Sequence, residues 1–196
     1  MPSRIRYTKA SQVFEAFPEL EEDIGLSGSD AAPARFVADL LEGDVPENAI
    51  LFFAHLLPKR ETVWWGARCV AGLCTEMTEE DSALLALAEA WVRDCNEANR
   101  ARALKGADQA RRKTPAAWIA YGAGWASGSL APAGQPMAPM PPQLTAKAVN
   151  AGVLIAVAEQ GQRQRAEAMR ACIRAGLAFG EGGTMPTVTV KGQTAA

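Results

Sequence analysis

The amino-acid sequence predicts an all-α fold, an irregular bundle of about seven to nine helices with a proline-rich strap and an extended C-terminal tail. Alanine, leucine, glutamate and arginine, which favour helices, dominate the composition. Runs of β-branched residues are almost missing before the last ten residues. Prolines stand where successive segments of helical apolar periodicity begin. No fixed repeat period is present, so a bundle is favoured over solenoid-like stacked helix pairs, which stay open as the alternative.

The composition is that of an ordinary globular protein, with 196 residues, 48% of them hydrophobic and 21% charged. It predicts a single helical domain over residues 1–180 and a flexible or strand-forming tail over residues 181–196. The first residues show no apolar signal core, and no apolar stretch reaches the ~20 residues that span a bilayer. We therefore expect a cytoplasmic protein without membrane insertion. One histidine and four cysteines without CxxC spacing predict no metal and no cofactor.

Three helices are predicted in the first third of the chain, and prolines mark their limits. Pro18 ends a short first helix, and a loop, GLSGSD, follows soon after it. Pro33 suits the first turn of the second helix. Pro46 opens the third helix and Pro58 ends it.

The middle of the chain shows the clearest helix starts. Thr78 is followed three residues later by Asp81, which is related to a capping box and begins an apolar-periodic segment. A polar helix with alanines at helical spacing follows it. Thr114 then precedes Pro115, the pairing expected of a helix cap and a first helical residue.

Beyond this region, residues 131–142 contain five prolines and one glycine and predict an extended strap. Two more helices follow, one apolar like a core helix and one amphipathic, and Gly180 is expected to end the second of them. A four-residue strand is predicted from Thr187 to Val190.

The central stretch, residues 56–74, reads LLPKRETVWWGARCVAGLC. Projected at 100° per residue, its apolar side chains surround the helix, which is typical of a helix in the middle of a bundle. Arg60, Trp64 and Arg68 fall on one line of this helix, where a guanidinium group lies over an indole face. We expect five tryptophans to be structural core residues: Trp64, Trp65, Trp91, Trp118 and Trp125.

Two further features carry alternative interpretations. Lys59, Arg60 and Arg68 form a basic edge that either pairs with internal acids or contacts an acidic partner or a phosphate. His55 is the sole histidine, so a catalytic role would require it together with a nearby carboxylate or thiol. A packed histidine is the simpler interpretation, because no nucleophile motif accompanies it.

Charge is distributed unevenly along the chain, although the net charge is only −2. Residues 15–47 hold ten acids and one base, Arg35, whereas residues 93–113 hold seven bases and three acids. The two segments either face each other or face a partner. A regulator that binds an acidic or nucleic-acid ligand through residues 93–113 is therefore an alternative. Nucleic acid is disfavoured because that segment lacks interleaved aromatic residues.

Three stretches carry a family resemblance: HLLPKRETVWWGARC, TPAAWIAYGAGWASGSLAP and PMPPQLTAKAVNAGVLIA. Their proline, basic pair, glutamate and adjacent tryptophans resemble an uncharacterised bacterial family of short helical proteins, over most of residues 30–180. The resemblance implies genes that neighbour type VI secretion components, and hence an accessory or adaptor role. It supplies no catalytic residues.

The sequence thus predicts a non-enzymatic helical protein-interaction module, an accessory or adaptor protein in a bacterial assembly such as type VI secretion. The alternative is a small enzyme that uses His55 with a nearby carboxylate or thiol. The partner is expected to be a protein of unstated identity. The expected partner-binding residues are Lys59, Arg60 and Arg68 in the basic edge, Pro136, Met137 and Met140 in the strap, and Val188 and Val190 in the tail.

Overall fold

A computed structural model describes residues 2–129 and 138–190 of the chain, and it is all-helical, which confirms the predicted fold class. Ten α-helices lie in these ranges. They are α1 Ala10–Ala16, α2 Glu19–Ile24, α3 Pro33–Leu41, α4 Glu47–Leu56, α5 Lys59–Leu73, α6 Glu79–Arg93, α7 Glu97–Gln109, α8 Pro115–Gly124, α9 Leu144–Ala158 and α10 Arg165–Gly180. None of them combines the length and the apolar character that crossing a bilayer requires.

Local capping chemistry explains where several helices begin. The Thr78 side chain accepts a hydrogen bond from the Asp81 amide at the start of α6, and Thr114 accepts one from the Ala117 amide at the start of α8. Each bond satisfies one of the amides that a helix leaves without a partner in its first turn. Pro115 occupies the first position of α8, where its missing N–H costs nothing.

Helix α5 lies in the middle of the bundle and packs against α8, α9 and α10. Trp65 is fully buried, and its indole Nε1 donates a 3.0 Å hydrogen bond to the Cys172 carbonyl of α10. Gly66 allows close packing, since a Cβ there would come within 2.5 Å of the Val149 side chain of α9. Substituting a larger residue at position 66 would therefore force α5 and α9 apart.

The five tryptophans divide into two groups. Trp65 and Trp91 are buried in the core, whereas Trp64, Trp118 and Trp125 are partly buried and pack against it. Their polar edges and apolar faces suit this boundary between core and solvent.

Basic side chains satisfy carbonyls near the C-terminal ends of five helices. The donors are Arg4 to Phe179, Arg60 to Val92, Arg100 to Gly124, Lys113 to Ala107 and Arg165 to Ala158, and Lys59 donates to Ala126 just after α8. The last turn of a helix leaves carbonyls without an intrahelical donor and carries partial negative charge, so a cation there is doubly favourable. Six of the twenty basic residues therefore help to close the helices of the chain itself.

The C-terminal tail packs on the bundle up to Val190, which corrects the expectation of a free or strand-forming tail for this part. Val188 and Val190 are buried, and no strand forms over residues 181–190. A Cβ at Gly72 of α5 would contact the Val188 carbonyl oxygen, so this glycine makes room for the tail backbone. Burial of the two valines removes apolar surface from water, which favours the docked tail over a free one.

The predicted strap, residues 131–142, is described only from residue 138 onward, because residues 130–137 lie outside the described ranges. Ser129 and Pro139 form an isolated antiparallel bridge, and the Met140 amide donates a 3.1 Å hydrogen bond to the Gly128 carbonyl. Gly128 has a φ of +100°, a conformation that glycine adopts at little cost.

Candidate functional site

The predicted basic edge contacts the chain itself. The Lys59 Nζ donates to the Ala126 carbonyl at 2.9 Å, and the Arg60 Nε donates to the Val92 carbonyl at 2.7 Å. The Arg68 guanidinium lies 3.9 Å from the Glu89 carboxylate. These three side chains therefore bridge α5 to α6 and to the end of α8.

Of the two arginines predicted to lie beside Trp64 on α5, only Arg68 contacts its ring. The guanidinium carbon of Arg68 lies 5.5 Å from the centroid of the Trp64 ring, within the range of a cation–π contact. Arg60 instead approaches Glu61, with 3.7 Å between the nearest nitrogen and oxygen.

The other predicted contact residues do not form one surface. Pro136 and Met137 lie outside the described residues, and Met140 is partly buried. Val188 and Val190 are buried in the core, so neither side chain is exposed to a partner.

His55 is buried at the end of α4, and its Nδ1 lies 2.9 Å from the Leu51 carbonyl oxygen. The thiols offer little support for a nucleophile: Cys69 is fully buried, and burial beside the Glu159 carboxylate raises the pKa of Cys74 to about 12. Both groups stay protonated at neutral pH, and a thiol is a much weaker nucleophile than a thiolate.

The basic segment, residues 93–113, is partly used internally. Arg100 pairs with Glu97 and also donates to the Gly124 carbonyl, and Lys113 donates to the Tyr121 hydroxyl at 2.7 Å. Three of its cations are exposed and form no hydrogen bond or ion pair among the described residues: Lys105, Arg111 and Arg112.

A groove that the sequence did not predict opens between the end of α2, α3 and the start of α4. We call it the acidic groove. Its volume is about 290 Å³, and its lining residues are Ile24, Gly25, Leu26, Phe36, Asp39, Leu40, Gly43, Asp44, Val45 and Asn48. Leu26 is 50% exposed and Val45 is 52% exposed, and within the described ranges they are the two large hydrophobic side chains that stand out as exposed.

Short-range features of the sequence shape this groove. Gly25 ends α2 with a φ of +73°, in the left-handed region, which turns the chain so that Leu26 leaves the helix. The Asn48 side-chain amide donates a 3.1 Å hydrogen bond to the Ile24 carbonyl and so ties the first turn of α4 to the end of α2. Val45 precedes Pro46, where the chain enters α4. The two exposed apolar side chains thus line one depression.

Two carboxylates line the acidic groove, Asp39 and Asp44. Asp39 pairs with Arg35 at 2.9 Å on the exposed surface of α3. Four other acids nearby in sequence are exposed and pair with no cation among the described residues: Glu21, Glu22, Asp44 and Glu47. The groove therefore combines apolar lining residues with the unpaired Asp44 in an acidic stretch of the chain, a combination that attracts cations carried on an apolar scaffold.

Sequence reasoning noticed the acids but missed the groove. Leu26 and Val45 are single apolar residues in turns, so no helical or strand periodicity reveals them. The available signal was their position: each is a large apolar residue next to a chain-turning residue, Gly25 or Pro46, inside an acidic segment.

Within residues 2–129 and 138–190, no group of three or more His, Cys, Asp and Glu side chains is arranged to hold a metal ion. No curated protein and no solved structure matches the chain. One family model does match, and it spans residues 36–179, nearly three quarters of the chain. The chain therefore belongs to that family, which is described as a family of unknown function, DUF6931.

Proposed function

We propose that this protein is a non-enzymatic protein-interaction module, and that its acidic groove binds a basic amphipathic segment of a protein partner. One observation carries the proposal: the two exposed large hydrophobic side chains, Leu26 and Val45, line the same groove together with Asp44, an exposed carboxylate that pairs with no cation among the described residues. An apolar side chain of the partner enters between Leu26 and Val45. Lysines or arginines flanking it approach Asp44 and Glu47.

The size of the groove supports a docked side chain over a large cofactor. At about 290 Å³ it lies at the lower end of small-molecule sites, which occupy roughly 300–1,000 Å³. Covering two half-exposed apolar side chains removes apolar surface from water at about 25 cal/mol per Å². The carboxylates add little affinity at physiological salt but raise the rate of encounter and select for basic segments.

The finer part of the proposal concerns the setting. The family resemblance described above implies a role as an accessory or adaptor protein of a bacterial assembly such as type VI secretion, and a groove for a basic segment suits an adaptor. The three bases of the predicted basic edge, Lys59, Arg60 and Arg68, contact carbonyls or a carboxylate of the chain itself, so the acidic groove is the better candidate for contact with a protein partner.

Binding to a defined peptide tests the groove. The probe is a synthetic amphipathic helix built from leucine and lysine, compared with a leucine and glutamate peptide of the same apolar spacing, with affinity measured by fluorescence anisotropy. We expect the basic peptide to bind, its affinity to fall with added salt, and Val45→Asn to weaken it by about tenfold. Thr75→Asn, an exposed change between α5 and α6, is the matched control and should leave the affinity unchanged. Equal binding of the two peptides, or an unchanged affinity of Val45→Asn, would contradict the proposal.

A photocrosslinking group at position 45 then identifies the natural partner. We expect the crosslinked partner peptide to carry lysines or arginines around an apolar residue, and the same group at position 75 to yield a different set of products or none. Crosslinks from position 45 to acidic segments would count against a basic partner.

A further inference from the structure

A second cavity lies on another side of α4, beside the sole histidine, and we call it the His55 cavity. Its volume is about 330 Å³. Four parts of the chain enclose it: the N-terminal segment, Phe17, the end of α4 with the first turn of α5, and the first turn of α9. The lining residues are Arg6, Tyr7, Phe17, Ala54, His55, Leu56, Leu57, Pro58, Lys59, Thr62, Pro142, Thr145 and Ala146.

Two buried polar side chains of this lining lack a hydrogen-bond partner among the described residues. The atoms are the Nε2 of His55 and the Oγ1 of Thr145, in residues that are 2% and 1% exposed. A buried polar atom without a partner costs about 1–3 kcal/mol, so two of them at one cavity are unusual in a folded protein. Both residues line the cavity, so a polar ligand bound there is a candidate partner for these atoms.

The hydrogen bond of the other ring nitrogen defines what His55 offers. A carbonyl oxygen only accepts, so the Nδ1 that lies 2.9 Å from the Leu51 oxygen carries the hydrogen. Burial lowers the pKa of His55, which keeps the ring neutral. The Nε2 is then an acceptor, and its missing partner is a hydroxyl or N–H group.

The charged groups of the lining are both cations. Arg6 is exposed and forms no hydrogen bond or ion pair among the described residues, and no Asp or Glu lines the cavity. The Lys59 ammonium group donates one of its three hydrogens to the Ala126 carbonyl, and the other two remain available as donors. Partial burial also lowers the pKa of Lys59, a cost that a nearby anion would remove.

Helix geometry adds to this positive character. The first turns of α5 and α9 both line the cavity, and neither helix has a side-chain cap at its N-terminus. The amides of a first helical turn lack intrahelical acceptors and carry partial positive charge.

We propose that the His55 cavity binds a small organic carboxylate that has an apolar body and a hydroxyl or N–H group. The carboxylate pairs with Arg6 and Lys59 at the open side. The apolar body lies against Phe17 and Leu57, which together with the prolines make most of the lining apolar. The hydroxyl or N–H group donates to the Nε2 of His55, and Thr145 bonds the same polar end. This site is separate from the acidic groove, so either can exist without the other.

The test uses 4-hydroxyphenylacetate as the probe, with two analogues that each remove one feature. The amide, 4-hydroxyphenylacetamide, removes the charge, and phenylacetate removes the hydroxyl donor. Affinity is measured by calorimetry on the full chain. The imidazole nitrogen shifts of this single-histidine protein are followed by NMR. We expect the probe to bind at least about tenfold more tightly than either analogue and to move the Nε2 signal, whereas phenylacetate leaves that signal in place.

Variants locate the binding. Arg6→Gln changes an exposed side chain and should weaken the probe by about tenfold, and Arg35→Gln, a cation on α3 away from the cavity, is the matched control with no change expected. Thr145→Val should weaken the probe as well, with folding checked by thermal unfolding. The proposal is overturned if no saturable binding occurs, if the amide binds as well as the acid, or if Arg6→Gln and Arg35→Gln behave alike.

Discussion

The central helix α5 and the acidic segment, residues 15–47, both contain charges beside large apolar residues, yet the structure uses them in opposite ways. On α5 the three basic side chains bind carbonyls or a carboxylate of neighbouring helices, and Trp65 is fully buried. In the acidic segment, Asp44 and Glu47 stay exposed and unpaired among the described residues, and Leu26 is half exposed.

This difference shows that a cluster of charged residues in a sequence does not by itself reveal whether the side chains face a partner or bond within the fold. The deciding factor is which helix ends lie within reach. A basic side chain donates to the carbonyls of a neighbouring helix end, whereas a carboxylate only accepts and finds no partner among those carbonyls.

The largest expected effect lies on α5. Trp65→Ala should lower the free energy of unfolding by about 3–5 kcal/mol, because it empties a fully buried volume and removes the indole hydrogen bond to the Cys172 carbonyl. Trp64→Ala, one residue earlier and partly exposed, is the control and should cost less than half as much. Urea denaturation measures both. Equal losses would show that Trp64 stabilises the fold as much as Trp65 does, which would contradict this prediction.

A smaller effect is expected at the basic edge. Arg60→Met keeps the aliphatic stem but removes the donor to the Val92 carbonyl, so it should cost about 1–2 kcal/mol. Arg93→Met removes an exposed cation that lies 3.6 Å from Glu89 and should cost less than about 0.5 kcal/mol. If the two substitutions cost the same in urea denaturation, capping by Arg60 contributes nothing beyond an ordinary surface pair.

The next prediction concerns how the free energy of unfolding depends on pH. Desolvation lowers the pKa of His55 below 6.5, while the Leu51 carbonyl and the Glu19 and Asp23 carboxylates partly oppose it and Lys147 adds to it. The unfolded chain then binds the proton more readily, so the stability that neutral His55 provides is complete above about pH 6.5 and is lost as the pH falls toward the folded-state pKa. His55→Gln should remove this part of the pH dependence of unfolding. An unchanged profile in the variant would mean that other groups cause it.

The smallest effect on stability is expected in the acidic segment. Asp44→Asn removes an exposed, unpaired charge and should change the free energy of unfolding by less than about 0.5 kcal/mol. The same variant should bind the leucine and lysine peptide more slowly, an effect that stopped-flow fluorescence resolves at low salt. A large loss of stability would instead assign Asp44 a structural role.

Much of the helical framework was predictable because its signals are local. Thr78 with Asp81, and Thr114 with Pro115, mark helix starts that depend only on neighbouring residues. The separate helix α2 was missed because Pro18 both follows the end of α1 and stands at the N-cap of α2, so one residue carries two boundaries. Short helices without a side-chain cap give little sign of themselves in a sequence.

The sites were not predictable, because they depend on contacts between distant residues. His55 and Thr145 line one cavity although 90 positions separate them. Whether Arg60 would pair internally depended on the position of the Val92 carbonyl, which the packing of α5 against α6 sets. Single-sequence reasoning supplied both possibilities for the basic edge but no means of choosing between them.

The contact between Gly72 and the tail has an evolutionary consequence. A methyl group at position 72 would clash with the main-chain oxygen of Val188 and come within 2.9 Å of its Cβ, and no exchange of side chain at position 188 removes the main-chain clash. Related chains whose tail packs on α5 should therefore keep glycine at this position. Chains without the tail can carry a larger residue there. Presence of the tail and identity of residue 72 should be inherited together, a linkage that an alignment of relatives would reveal.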